Sequence, residues 1–286
     1  MKKIAFIGTG VMGKSMVMNL MKKGFEVTIY ARNRQKVEDL ISNGAIFCDT
    51  IESCVKNKDA IITIVGYPKD VEEVYFSQKG IINSASKNSY LIDMTTTSPN
   101  LSVQIYNSAK EKGLKALDAP VSGGDMGAKN GTLSIMVGGD KEDFEACKEI
   151  FQALGTTILH EGKAGNGQHT KMANQIAIAG LMAGISEAIA YGKKTGLDIE
   201  TMIKSISNGS AQSFHMTNSA PKMNKRDFSA GFYIKHVVKD LRIANEEVAG
   251  LKVLKDVLEM YETLEKNGDG ELGTQALCKY YEIDKK

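Results

Sequence analysis

At 286 residues and 42% hydrophobic, the chain is long enough to bury a full core; its length favours two domains or one large one, and its composition excludes the disordered class. The 36 Lys and Arg against 34 Asp and Glu leave a formal charge of +2, too weak a field to point to nucleic acid or a membrane surface, so any basic site must be local. Four scattered cysteines, Cys48, Cys54, Cys147 and Cys278, form no C-x-x-C pair and suit reduced thiols in the cytoplasm better than a disulfide frame or zinc.

The first apolar run, Lys3–Ile7, is far shorter than the apolar region of a signal peptide and passes directly into glycines, so it predicts a strand. A helical pattern over 11–23 follows and stops at Gly24, and Glu26–Tyr30 predicts the second strand. Further strands are predicted at 60–65, Tyr90–Asp93, 116–118 and 134–137, alternating with helical segments. That rhythm signals βαβ units, hence a doubly wound parallel sheet of α/β class covered on both faces. After about Gly165 the β-type runs fade into helices rich in Ala, Leu, Met, Lys and Glu, which places a boundary between a first domain over 1–163 and an all-α domain over 164–286. The apolar stretch 173–190 is interrupted by Asn174, Gln175, Ser186 and Glu187, whereas a bilayer needs roughly 20 clean residues; it reads as a helix buried in a core or interface. The polar, glycine-rich 267–273 predicts a loop before a last short helix.

Gly8-Thr9-Gly10-Val11-Met12-Gly13 is a complete G-x-G-x-x-G between a strand and a helix, the fingerprint of a dinucleotide-binding Rossmann unit. Its glycines serve a tight turn, close approach of a pyrophosphate, and packing of helix on strand. The same stretch satisfies G-x-x-x-x-G-K-[ST] through Gly13-Lys14-Ser15, and Leu91-Ile92-Asp93 can pose as the magnesium-binding strand of a phosphate-loop triphosphatase. Gly10 is required by the first motif and idle in the second, and no later segment reads a nucleotide base, so the dinucleotide is favoured. At the end of the second strand an Asp or Glu would select NAD through the ribose 2′-OH. Tyr30-Ala31-Arg32-Asn33-Arg34 has no acid there and two guanidinium groups suited to a 2′-phosphate, which favours NADP(H) over NAD(H); the bland alternative is a solvated basic turn.

Two further segments carry chemistry. Asp118-Ala119-Pro120-Val121-Ser122-Gly123-Gly124 follows a predicted strand, at the edge where open α/β sheets bind ligands, and Ser122 with two glycines offers a hydroxyl and bare N–H groups to a carboxylate. Taken alone it would more often be an ordinary Ser-Gly-Gly turn. In Gly165-Asn166-Gly167-Gln168-His169-Thr170-Lys171-Met172-Ala173-Asn174-Gln175, Lys171 and Asn174 share a helix face. A helical lysine is usually a solvated charge, but this one opens the least polar helix of the chain, and burial lowers a lysine's hold on its proton. His160, His169, His215 and His236 show no zinc-type spacing, so no metal is expected, and Met12, Met16, Met18 and Met21 read as packing groups.

Together these segments resemble the β-hydroxyacid dehydrogenase family, which includes 3-hydroxyisobutyrate dehydrogenase, tartronate semialdehyde reductase and glyoxylate/succinic semialdehyde reductase, over essentially the whole chain. The resemblance implies a cytoplasmic oxidoreductase moving a hydride between NADP(H) and a small carboxylate-bearing semialdehyde or hydroxyacid, with Lys171 as catalytic acid and base. It also implies that Ser122, Gly123 and Gly124 hold the substrate carboxylate, Asn174 orients substrate, and Thr95 and Thr96 line the nicotinamide side. Phe232, Lys239 and Asp240 would complete the cleft from an all-helical domain that opens with a long helix and makes the contacts of a homodimer or homotetramer. Two positions depart from the family pattern: Ala31 stands where relatives often carry Asp or Asn, and Gln175 falls in the amide pair beside Lys171. A non-catalytic NADP-binding module is the competing reading, since fold alone does not fix function.

Overall fold

The computed structural model describes residues 1–282, which fall into two compact units, Met1–Lys171 and a second that begins at Met172. The first unit is built on nine strands: β1 (Lys3–Ile7), β2 (Glu26–Tyr30), β3 (Ile46–Cys48), β4 (Ala60–Thr63), β5 (Tyr90–Asp93), β6 (Lys115–Asp118), β7 (Val121–Ser122), β8 (Leu133–Gly138) and β9 (Gly155–Gly162). The strands β3-β2-β1-β4-β5-β6 lie side by side and all parallel, the doubly wound order whose direction reverses between β1 and β4. Ligands of such sheets bind outside the carboxyl ends of the strands at that reversal.

Both faces of the sheet are covered, which is why its central strands read as unbroken apolar runs. Phe6, Ile62 and Ile92 enter one core cluster while their neighbours Ile7, Ile61 and Leu91 enter another on the opposite face, all at most 2% exposed. Truncating a side chain as large as Phe6 in such packing costs about 3–5 kcal/mol.

The far edge of the sheet departs from the parallel expectation: β8 runs antiparallel to β6 and β7, then parallel to β9. The sequence also shows no signal for β3, β7 and β9. β3 and β7 are three and two residues long, too short to reveal a period of two. β9 carries Thr156, Thr157, His160 and Glu161 along an edge that is mostly exposed or half-buried.

The long helix Asn166–Lys194 continues past Lys171 into the second unit, where Met172, Met182, Ile185 and Ile189 enter a core shared with the helices Ile234–Glu247 and Lys252–Lys266. By length and composition it could cross a membrane. It nevertheless buries two polar side chains among these helices, Ser186, whose hydroxyl donates to the Met182 carbonyl at 2.8 Å, and Gln175. Beyond the helix Lys252–Lys266 the expected loop contains a 3₁₀ turn at Asp269–Glu271, and the last helix, Thr274–Glu282, is also 3₁₀ rather than α.

Candidate active site

At the end of β1 the chain turns at Gly8, whose φ of +102° and crowding leave no room for a side chain: a Cβ there would sit 2.0 Å from the Ile64 carbonyl oxygen, and one at Gly13 would sit 1.9 Å from that of Gly8. Only hydrogen at both positions lets the helix Val11–Lys22 begin against the strand end. A Cβ at Gly10, by contrast, would meet nothing within 4 Å, so the space over the turn is open. The helix has no side-chain cap and no acid in its first turn, so the N–H groups of Val11, Met12 and Gly13 and the positive dipole end are left for an anion. This cradle fits the pyrophosphate of NAD(P), which Gly8, Thr9, Gly10, Val11, Met12 and Gly13 would hold.

The lysine and aspartate of the competing phosphate-loop reading are engaged elsewhere. The Lys14 ammonium pairs with Asp39 at 2.8 Å. Asp93, 2% exposed, accepts at Oδ1 from the Thr63 hydroxyl at 2.8 Å and the Thr95 N–H at 3.1 Å.

Past β2, the side-chain oxygen of Asn33 accepts the Gln35 N–H at 2.9 Å and caps the 3₁₀ turn Arg34–Val37. Arg34 lies 3.3 Å from Glu38, in an exposed ion pair, and 5.2 Å over the Phe47 ring. Arg32 is exposed and makes no ion pair among the described residues.

At the carboxyl ends of β5 and β6 the sequence-marked segments converge. Thr95, 1% exposed, accepts the Val65 N–H on its hydroxyl at 3.0 Å; its neighbour Thr96 is half-buried. Gln168, wholly buried, accepts the Thr97 N–H at 3.1 Å and donates to the Thr95 carbonyl at 2.8 Å. The Asp118 carboxylate receives the N–H groups of Gly165 at 2.8 Å and Gln168 at 3.0 Å, an anion seated at the start of the long helix. Burial pushes its proton affinity up against the opposing pull of these bonds. The approach is possible because Gly138 and Gly167 lack side chains: a Cβ on either would come within 3 Å of the Asp118 carboxylate.

Lys171, one turn into this helix, is 7% exposed. Ser122 ends β7 half-buried, and Gly123 and Gly124, with φ of +126° and +63°, follow it exposed at the start of the helix Gly124–Asn130.

In the second unit, Asp240 is 1% exposed and accepts from the Gln175 amide at 2.6 Å, while Gln175 accepts from Asn174 at 2.9 Å. Lys239 lies 3.1 Å from the other Asp240 oxygen, an ion-pair distance without hydrogen-bond geometry. Asp240 therefore holds Asn174 through Gln175, and the departure at position 175 supplies the link. Phe232, 37% exposed, stacks on His236 with ring centroids 6.2 Å apart.

The sequence reading placed Gln175 beside Lys171 but not its bond to Asp240, and it missed the roles of Gln168 and of Asp118 as anchors; the glycines at 165 and 167 were the one available sign of a crowded junction.

Residues 3–162 match the family model described as the NAD binding domain of 6-phosphogluconate dehydrogenase, and residues 165–281 match that described as NAD-binding of NADP-dependent 3-hydroxyisobutyrate dehydrogenase. The chain belongs to the β-hydroxyacid dehydrogenase family. An uncharacterized oxidoreductase of Bacillus subtilis (strain 168) is 51% identical to it across 98% of this chain and 99% of the relative. The 2-hydroxy-3-oxopropionate reductase of Escherichia coli (strain K12) is 34% identical across 98% and 97%. Among solved structures, the 3-hydroxyisobutyrate dehydrogenase of Mycobacterium tuberculosis aligns with a TM-score of 0.89 and 26% identity, covering 97% of this chain and 98% of that one. This β-hydroxyacid dehydrogenase is an oxidoreductase that uses NAD(P) on CH–OH groups, and the phosphate-loop reading of Gly13-Lys14-Ser15 is thereby replaced.

Proposed function

We propose that the chain interconverts a short 3-hydroxyacid and its semialdehyde with NADP(H) in preference to NAD(H), with Lys171 as general acid and base. The observation that carries this reading is an amine-bearing side chain only 7% exposed at the head of a helix whose first turn is bonded to the loop after β5, at the ligand-binding edge of the sheet.

NADP(H), bound over the Gly8 to Gly13 turn, supplies or accepts the hydride. Lys171 does the complementary proton work. As the ammonium it donates from Nζ to the carbonyl oxygen as that becomes an alkoxide, and as the neutral amine it takes the proton back in oxidation. Ser122, Gly123 and Gly124 receive the substrate carboxylate with a hydroxyl and backbone N–H groups. Asn174, steadied through Gln175 by Asp240, orients the substrate. Arg32, exposed after β2, receives the 2′-phosphate, with Arg34 two residues on as the second guanidinium beside it. That the mycobacterial 3-hydroxyisobutyrate dehydrogenase was solved with L-serine, itself a small 3-hydroxyacid, supports the substrate class.

The same reading includes a homodimer or homotetramer. The outer face of the long helix exposes Ala173, Ala177, Leu181, Gly184 and Tyr191, mostly small and apolar, with Glu187 the charge among them, a surface suited to close packing against a second copy.

Initial rates with glyoxylate, succinic, tartronate and methylmalonate semialdehydes, each with NADPH and NADH, test the substrate class and the cofactor together. Lys171→Met should lower turnover at least ~10²-fold with NADPH binding retained; turnover near wild type would remove Lys171 from the mechanism.

A further inference from the structure

We infer that Gln168 is a positioning residue of this reaction, its amide fixing the spacing between the 95–97 loop and the helix that carries Lys171. The inference rests on the proposed roles of Lys171 and the nicotinamide loop.

Gln168 has no exposed surface, and its polar groups have partners. Its Oε1 accepts the Thr97 N–H, its Nε2 donates to the Thr95 carbonyl, and its own N–H donates to Asp118. The side-chain amide thus pairs with residues i and i+2 of the loop as a neighbouring strand would, and Thr96 between them is the one threonine of the three that is not fully buried. From the sheet side the loop is held by Asp93 at the Thr95 N–H and by the Val65 N–H at the Thr95 hydroxyl. Gln168 joins that anchored loop to the helix.

Lys171 follows Gln168 by three residues, on the same helix surface, so a slide or tilt of the first turn carries the amine with it. Asp118 resists such motion by holding the N–H groups of Gly165 and Gln168. Hydride and proton must reach adjacent atoms of one carbonyl, and a misplacement of about 1 Å can cost about 10²-fold in rate. A link carrying both a donor and an acceptor in one rigid plane suits that demand. Glutamate would set an oxygen against the Thr95 carbonyl, and methionine would leave a buried N–H and carbonyl unpaired.

The test compares wild type, Gln168→Met, Gln168→Glu and Lys171→Met in steady state, with NADPH and with NADPH deuterated at the transferred C4 position. Both Gln168 variants should bind NADPH within about threefold of wild type while kcat falls ~10- to 10²-fold. The deuterium isotope effect on kcat should rise as hydride transfer becomes slower than product release. A fall in activity with an unchanged isotope effect would show a merely structural role and overturn the inference. Wild-type kcat in Gln168→Met beside an inactive Lys171→Met would overturn it while leaving the lysine in place; an active Lys171→Met would instead strike the underlying reading, and this inference with it. Should neither Gln168 variant fold, amide exchange in the cofactor-free wild type decides. Slow exchange of the Thr97 N–H supports the clamp, and exchange at the rate of an exposed loop amide overturns it.

Discussion

Asp93→Asn should make the protein more stable relative to wild type as the pH rises. Burial, first of all, and the nearby Asp118 charge lift the Asp93 carboxyl from an ordinary 3.8 to about 6, against opposing hydrogen bonds from Thr95 and Thr63. A carboxyl that holds its proton more tightly in the folded state is neutral at no cost below 3.8, and it costs stability progressively between 3.8 and about 6 as the fold must accept its charge. Above about 6 the full cost is present and no longer changes. Asparagine keeps the shape and the Oδ1 acceptor for Thr63 and the Thr95 N–H, and never ionises. It also sets an amide where Oδ2 stands buried without a partner, which adds a constant offset but no slope. Integrating the linkage relation between pH 4.5 and 7.5, the stability of Asp93→Asn minus that of wild type should grow by about 2 kcal/mol. Urea unfolding followed by circular dichroism at the two pH values measures this, with amide exchange in β5 assigning the transition to the first unit. A difference constant within about 0.5 kcal/mol, or one shrinking as pH rises, would show that the carboxylate is not penalised by burial and would refute the reasoning.

Gly13→Ala should lower thermal stability by about 1–3 kcal/mol and weaken NADPH at least about tenfold, because the new Cβ would fall 1.9 Å from the Gly8 carbonyl oxygen; NADPH fluorescence and thermal unfolding would measure both. Arg32→Asp should weaken NADPH by about 10- to 10²-fold and spare NADH, and equal losses for the two cofactors in a fluorescence titration would dismiss a 2′-phosphate contact. Leu181→Arg, on the face proposed to meet a second copy, should shift the proposed oligomer toward monomer in light scattering with unchanged circular dichroism, and a wild type that is itself monomeric would dismiss the oligomer.

What could be read in the sequence was whatever the backbone itself demands. β1, β2 and β5 stand at their predicted bounds because their inner residues, buried on both faces of the sheet, are mostly apolar and β-branched or aromatic, with polar residues confined largely to the strand ends. The Gly8 to Gly13 turn was legible because no other residue fits two of its positions. The short or polar strands β3, β7 and β9 were invisible because pairing with a neighbour, not their own composition, makes them strands. Gln168 meets Thr97 across 71 residues, and Gln175 meets Asp240 across 65. Such bonds belong to the fold, and no local spacing announces them. Thr95 and Thr96 look alike as letters, yet one hydroxyl is spent on the Val65 N–H.

The crowding of Gly138 and Gly167 against Asp118 has a practical corollary for anyone redirecting this scaffold to a new carbonyl compound. That seam tolerates not even a methyl group, so libraries randomised there would return mostly misfolded protein. Diversity belongs instead at the start of the helix Gly124–Asn130, where a Cβ at 124 has open surroundings and Met126 is 58% solvent-accessible. Because position 124 has a positive φ and lies where the substrate carboxylate is proposed to sit, uncharged Asn is the first replacement to try there.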